Sequence, residues 1–342
     1  MEITMKICTI FTGGTIGSRL NTAGTISVDA NAPYHLIKMF EEQYNKDITF
    51  VTKEPYCILS ENLDTTRLMS LIQCVNDTLQ DTSLEGIIIT HGTDTLQYSA
   101  ALLDYIFGSS RIPIILVSSD FILTDKRANG LTNFYYATRF IEETKSRGVY
   151  VSYKNANGIP CIHRGTRLSS PYLLSADLNS VKNSYVAHFK TENGKDTLVL
   201  NSEYYVNPNN KPDLGINPKH VRLSNDSSMI RRISPYVGMT YENPAPHLKA
   251  VLHESYHSGT LALSNSFKEF CFQAKERNIP IFLTGLSRDE AFYETVSSYK
   301  GLGIIPLNES AVIAQYCKLW LAISNDLPLI ETMQTSIAQD FI

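Results

Sequence analysis

The feature that most constrains this chain is the alternation, along its first half, of short wholly apolar runs with longer segments of helical period. Ile7 to Phe11, Gly86 to Thr90, Ile112 to Val117 and Gly148 to Ser152 are too short for buried helices and too continuous for strands with one wet face. Between them lie amphipathic stretches such as Tyr98 to Phe107, where Ala101, Leu102, Tyr105 and Ile106 share one face, and Leu131 to Thr144. Apolar runs separated in this way mark βα units around a parallel sheet. The expected fold class is therefore α/β, with a larger N-terminal domain whose mostly parallel sheet is flanked by helices.

The pattern breaks between Val206 and Ser228 (VNPNNKPDLGINPKHVRLSNDSS), where Asn, Pro, Lys and Asp supply turn formers and little apolar surface. It resumes with strand-like Ala250 to His253 and Ile279 to Thr284, helix-like Ser264 to Arg277, and an amphipathic stretch from Ser310 to Ile323. The organisation expected is an N-terminal domain over 1–205, a linker over 206–228 and a smaller C-terminal α/β domain over 229–342. With 342 residues in all, each part has enough length to bury its own core.

Composition narrows the function classes. A net charge of −4 with 19% charged residues leaves no basic surplus to track a phosphate backbone, so nucleic acid is not an expected partner. No stretch approaches the roughly 18 apolar residues of a membrane span, and the apolar run within Met1 to Phe11 is too short for a secretory signal. The expectation is a cytoplasmic protein with no membrane partner. Cys8, Cys57, Cys74, Cys161, Cys271 and Cys317 form no CxxC pair, and the histidines show no HExxH spacing. Neither a metal nor another cofactor is called for.

Two loops carry the chemistry. Thr12-Gly13-Gly14-Thr15-Ile16-Gly17 directly follows the first apolar run, where adjacent glycines let the backbone turn and let a ligand approach its N–H groups. It is not a P-loop, since no Gly-Lys-Ser/Thr follows, and it lacks the GxGxxG spacing of a dinucleotide site. Alone, it also reads as a plain strand-to-helix turn. Thr90-His91-Gly92-Thr93-Asp94-Thr95 again follows a buried run and precedes a helix. In an open α/β sheet such loops gather at the carboxyl ends of the strands, so both can face one pocket. A threonine hydroxyl becomes a nucleophile only when something takes its proton, and a neighbouring carboxylate can orient such a group or bind an ammonium.

TGGTIG at 12–17 and THGTDT at 90–95, in that order, resemble the two signature motifs of the L-asparaginases, which hydrolyse the side-chain amide of Asn and sometimes Gln; the resemblance is closer to the cytoplasmic type I form. Ser60-Glu61-Asn62 resembles the family's substrate-gripping segment, Arg164-Gly165-Thr166-Arg167 its RGNR stretch, and GLGIIPLNESAVIAQYCKLWLA (301–322) its C-terminal helix region. The resemblance implies that Thr15 is the nucleophile of an acyl-enzyme mechanism and that Thr93 lies near the attacking water or the oxyanion. It implies that Asp94 holds the substrate's α-ammonium and Ser60 its α-carboxylate, with Glu61 beside it. Backbone N–H groups of the loops at Gly14 and Gly92 become oxyanion donors. A small-molecule amide substrate and a homodimer or homotetramer with sites at subunit interfaces follow from the same resemblance.

The chain departs from that family at several supporting positions. The family's lid tyrosine, ten residues after the nucleophile, falls here at Thr25, with Tyr34 further along the same segment. The lysine that follows the RGNR stretch falls at Ser170, and a serine replaces neither its charge nor its basicity. Arg167 and Lys126 are the alternative cations. Ser119-Asp120 and Arg127-Ala128-Asn129-Gly130 add an acid at Asp120 and lose one at Asn129, which shifts charge beside the pocket. Ser255-Tyr256-His257-Ser258-Gly259-Thr260 has the residue types of a Ser/His site but reads better as a loop bordering the pocket, and Asp289-Glu290 is a candidate acid across a subunit interface. Three readings stay open: an amidohydrolase acting on free Asn, an amidase acting on a peptide or larger conjugate, and a binding protein that has lost turnover.

Overall fold

A computed structural model describes residues 4–21, 24–29, 32–44, 46–286 and 293–342. Asp289 and Glu290 lie outside the described residues. In chain order the strands of the first domain are β1 (Met5–Phe11), β2 (Ser18–Leu20), β3 (Ile26–Val28), β4 (Ile48–Lys53), β5 (Gly86–Thr90), β6 (Pro113–Val117), β7 (Gly148–Lys154), β8 (Pro160–Arg164), β9 (Ala187–Glu192) and β10 (Lys195–Leu200). Its helices are α1 (Ala32–Tyr44), α2 (Thr65–Thr78), α3 (Leu96–Phe107) and α4 (Gly130–Glu143).

Eight of these strands form one sheet in the order β10-β9-β8-β7-β6-β5-β1-β4. The strands from β4 to β7 run parallel, and β8, β9 and β10 are added antiparallel. Every residue of β5 and β6 is buried because helices cover both faces. Ile87, Ile89, Ile114 and Leu116 pack on one side with Leu71 and Val75 of α2 and with α3. Ile88, Ile115 and Val117 pack on the other with Phe40 of α1 and Phe134 and Phe140 of α4.

The one-faced reading of α3 is corrected by the structure. From Leu96 to Phe107 only Tyr98 escapes full burial, because the side turned from the sheet is covered by a helix of the second half instead of water. That half contains β11 (Ile230–Ile233), β12 (Ala250–Glu254), β13 (Ile281–Thr284) and β14 (Ile304–Pro306), with α5 (Asn265–Glu276), α6 (Glu294–Ser297), α7 (Val312–Ser324) and α8 (Leu329–Gln334). Its strands form a parallel sheet in sequence order. Ser264 caps α5, its Oγ accepting from the N–H of Phe267. Ala314, Cys317 and Leu321 of α7 share the core that contains α3.

The segment between the sheets is anchored to both halves: Leu214 N–H donates to the Tyr105 carbonyl of the first (2.9 Å), and Lys211 bridges Ile337 of the second. Further along, residues 338–341 are held by the loop after β8. Thr166 Oγ1 donates to the Ala338 carbonyl (2.8 Å), and Arg167 donates to the carbonyls of Gln339 (2.7 Å) and Phe341 (2.8 Å). No helix among the described residues is long and apolar enough to cross a membrane.

On β8, His163 is 4% exposed and its Nδ1 lies 2.9 Å from Ser180 Oγ. Burial pulls its pKa down from 6.5 to about 4. Between those values the unfolded chain binds a proton that the folded chain refuses, so stability is lost as the pH falls through that window. Burial lowers the pKa of His91 and His253 as well, which adds in the same direction. Urea unfolding at pH 5 is expected to give roughly 2 kcal/mol less stability from His163 alone than at pH 7. His163→Gln should flatten that dependence, and an unchanged slope would refute the assignment.

Candidate active site

β1 lies between β4 and β5. The chain leaves β1, crosses to β4 on one side, and returns to β5 on the other. The crevice at the carboxyl ends of β1 and β5 is thus the point where the winding reverses, the place in an open parallel sheet where ligands bind. Phe11 and Thr90 are register partners, so the two Thr/Gly loops emerge side by side.

The loops touch through their glycines. Gly14 has φ +74°, and a Cβ there would lie 2.4 Å from the Gly92 nitrogen. A Cβ on Gly92 would lie 2.4 Å from Ser60 Oγ. Three segments therefore meet at Gly14, Gly92 and Ser60. Ile58 secures the first of them, its carbonyl accepting from Gly14 N–H (2.8 Å) and its N–H donating to the Thr12 carbonyl (3.1 Å). Thr12 Oγ1 donates to the Thr90 carbonyl (2.6 Å) and joins the first loop to the second. Thr95 Oγ1 donates to the Ser60 carbonyl (2.9 Å), and Ser60 Oγ donates to Asp94 Oδ2 (3.4 Å).

Gly14→Ala should cost more than about 1 kcal/mol from its backbone conformation alone, and the methyl must also push the second loop away. We expect a folded protein by circular dichroism with its site function lost. Full retention of that function would show that the loop contact is dispensable.

Thr15 opens a 3-10 turn (Thr15–Gly17) and is half-buried. Thr93 is half-buried as well, while Asp94 and Glu61 are exposed. Among the described residues, the Thr15 and Thr93 hydroxyls take no hydrogen-bond partner and Asp94 takes no cation. His91 is a structural member of the second loop. Its Nδ1 lies 2.8 Å from the Gly92 carbonyl and therefore donates, which leaves Nε2 to accept from Ser99 Oγ (2.8 Å). Burial holds its pKa down, so the ring stays neutral.

The family model described as Asparaginase, N-terminal, matches residues 6–194, more than half of the chain. The chain belongs to the asparaginase family. A glutaminase-asparaginase of Acinetobacter glutaminasificans is 31% identical over 151 residues, 43% of this chain and 45% of that protein. The D subunit of a glutamyl-tRNA(Gln) amidotransferase of Methanosarcina mazei is 29% identical over 181 residues, 52% of this chain and 42% of that one. In both cases the similarity spans less than half of the relative's own length. The thermostable L-asparaginase from Thermococcus kodakarensis superposes over 99% of both chains with a TM-score of 0.75 at 20% identity. L-asparaginase I from Vibrio cholerae does so over 99% of both chains with a TM-score of 0.78 at 19% identity, a likeness of fold.

Within this asparaginase fold the altered positions take up other tasks. Thr25 sits beside the β2–β3 hairpin, where its hydroxyl accepts from Asn21 Nδ2 (2.6 Å). Tyr34 is 70% exposed on α1. Ser170 is exposed and Lys126 is exposed. Arg167, bound to the carbonyls of Gln339 and Phe341 and stacked 4.2 Å over the Tyr204 ring, is a clamp and not a base. The Asp120 carboxylate accepts from the N–H groups of Phe121 (2.9 Å) and Asn129 (3.0 Å), so it braces its own loop. Ser255 Oγ donates to the Tyr256 carbonyl (2.9 Å), which leaves no Ser255–His257 pair.

The structure also brings in a residue that sequence reading passed over. Tyr56 joins Thr12, Ser60, His91 and Gly92 in a closely packed cluster beneath the loops that leaves no room for a water molecule. Burial pushes the acidity of this phenol far from the physiological range, so it stays protonated. Its only sequence signal is its place two residues before Ile58, the residue that pairs with Gly13.

Proposed function

We propose that the chain is an amidohydrolase that converts the side-chain amide of L-asparagine, or a related amide, to the carboxylate and ammonia through a Thr15 acyl-enzyme. The observation that carries this reading is the convergence of the Thr15 loop, the Thr93-Asp94 loop and Ser60 on the Gly14–Gly92 contact at the switch point of the sheet. Thr15 Oγ1 attacks the amide carbon, its proton passes to the amide nitrogen, the C–N bond breaks and nitrogen leaves as ammonia. Water beside Thr93 then cleaves the ester. Asp94 holds the substrate ammonium and Ser60, with Glu61 nearby, the opposite end.

Gly14 N–H is committed to Ile58, so the oxyanion donors in this mechanism are other N–H groups of the two loops, that of Gly92 among them. Each such donor is worth roughly 2.7 to 4 kcal/mol of transition-state stabilisation. The assembly we propose is a cytoplasmic homodimer or homotetramer without a cofactor, with 1–205 carrying the nucleophile loops, 206–228 linking and 229–342 forming the second domain. The test is ammonia release from Asn and Gln at high enzyme concentration. No release from either amide, or from Asn peptides, would sink the reading.

A second reading is a binding protein without turnover. It is favoured by the absence, among the described residues, of any base bonded to the Thr15 hydroxyl. Calorimetry with Asp separates the two: heat of binding without hydrolysis of any amide selects the second.

A further inference from the structure

Next to the loops lies a cleft of about 390 Å³ that the asparagine-sized reaction does not use. Thr95 of the second loop and Leu63, which ends the Ser60–Asn62 turn, form its near end. Leu68 of α2, Tyr98 of α3 and Tyr316 and Trp320 of α7 form its walls. The rings make a box: Tyr98 and Tyr316 meet edge to face with centroids 6.2 Å apart, and Tyr316 and Trp320 lie 6.1 Å apart. Trp320 is fixed by its Nε1, which donates to the Ser224 carbonyl (3.1 Å).

Two observations tie this cleft to the site. Thr95 Oγ1 is bonded to the Ser60 carbonyl, and Leu63 also packs in the cluster beneath the loops with Ser60 and Gly92, so the cleft adjoins the site. Among the described residues no Lys or Arg lines the cleft, and the one acid in its lining, Asp64, is paired with Arg67. Asp94, one residue from Thr95, is the carboxylate left for a ligand's cation. The aromatic walls suit an apolar group whose attached ammonium reaches Asp94.

We propose that the cleft is a subsite for the apolar side chain of a residue following asparagine, so that the substrate class is a short peptide with a free N-terminal Asn and an aromatic or large aliphatic second residue. This rests on the amidohydrolase reading above. The ammonium goes to Asp94, the peptide bond passes Ser60, and the second side chain enters between Tyr98 and Trp320. The reaction is Asn-X plus water giving Asp-X plus ammonia: the carboxamide C–N bond of the Asn residue breaks, water supplies the new oxygen, and the peptide bond is untouched. Free Asn leaves the box empty.

Trp320 is the single tryptophan of the sequence, so its fluorescence reports on this cleft directly. Titrating the full-length Thr15→Ala protein with Asn-Phe should give a saturable change in Trp320 emission that Asn-Gly and free Asn do not give. In the unsubstituted enzyme, kcat/KM for ammonia release should be at least about tenfold higher for Asn-Phe than for Asn-Gly. Tyr316→Ala should bring the Asn-Phe value down toward the Asn-Gly value. Ammonia from free Asn with no emission change and equal dipeptide rates would overturn the subsite and leave the amidohydrolase reading intact. A saturable emission change with no ammonia from any amide would support the subsite and refute that reading. Emission that follows protein concentration without ligand would mean that a second copy of the protein fills the cleft, and would also overturn the proposal.

Discussion

Thr15→Ala is expected to reduce ammonia release by roughly 10⁴-fold or more, the scale on which loss of the nucleophile acts in acyl-enzyme hydrolases. The fold should be unaffected, because the half-buried side chain takes no hydrogen-bond partner among the described residues and its removal breaks nothing that holds the loops. Those loops are joined through Gly14, Gly92, Thr12 and Ile58. The comparison to make is steady-state ammonia release against the urea midpoint for the same preparation. Thr15→Ser, which keeps a hydroxyl, should retain measurable turnover. Ammonia release by the alanine variant at the unsubstituted rate would mean that another group attacks the amide.

The second large effect is on stability. Lys318 on α7 and Asp340 are 1% and 0% exposed at their side chains and lie 2.8 Å apart. The Asp340 carboxylate also accepts from Tyr105 Oη (2.9 Å) and from the N–H of Ile337 (3.0 Å). Burial pulls the Lys318 pKa down, and only Asp340 opposes it. Asp340→Ala leaves an ammonium, a phenol and an amide without this acceptor inside the protein. Breaking a buried pair in this way costs about 3 to 5 kcal/mol. Replacing both partners with apolar groups, Lys318→Met with Asp340→Leu, should recover most of that loss because no stranded charge remains. Denaturant unfolding of the single and double variants decides the point, and a double variant no better than Asp340→Ala would contradict the account.

The parallel half of the large sheet was legible because β1, β5, β6 and β7 are continuous apolar runs, and such runs need helices on both faces. The antiparallel strands were legible in part only. Asn193-Gly194 is a hairpin signal between β9 and β10, but AHFKTE and KDTLVL are too polar on one face to stand out from loop sequence. The Gly-rich loops announced themselves by composition and by following strands. Their partner Ser60 entered through resemblance alone, since nothing local marks it. The task of Arg167 was hidden for a different reason: its acceptors, Gln339 and Phe341, are more than 170 residues away in sequence, and no local pattern encodes a contact of that range. Burial of α3 on every side was missed because its second cover, α7, is equally remote.

The back-to-back approach of Gly14 and Gly92 has a bearing on how the protein folds. Parallel strands of similar apolar composition are prone to pair one step out of line, since Ile87, Ile88 and Ile89 offer nearly equivalent partners to β1. A one-step shift would bring His91 or Thr93 to the place of Gly92, where a Cβ would fall 2.4 Å from Ser60 Oγ and 3.3 Å from Gly14 Cα. The two glycines thus act as a proofreading gate for strand alignment: the misaligned sheet is penalised at its end, before any ligand is present.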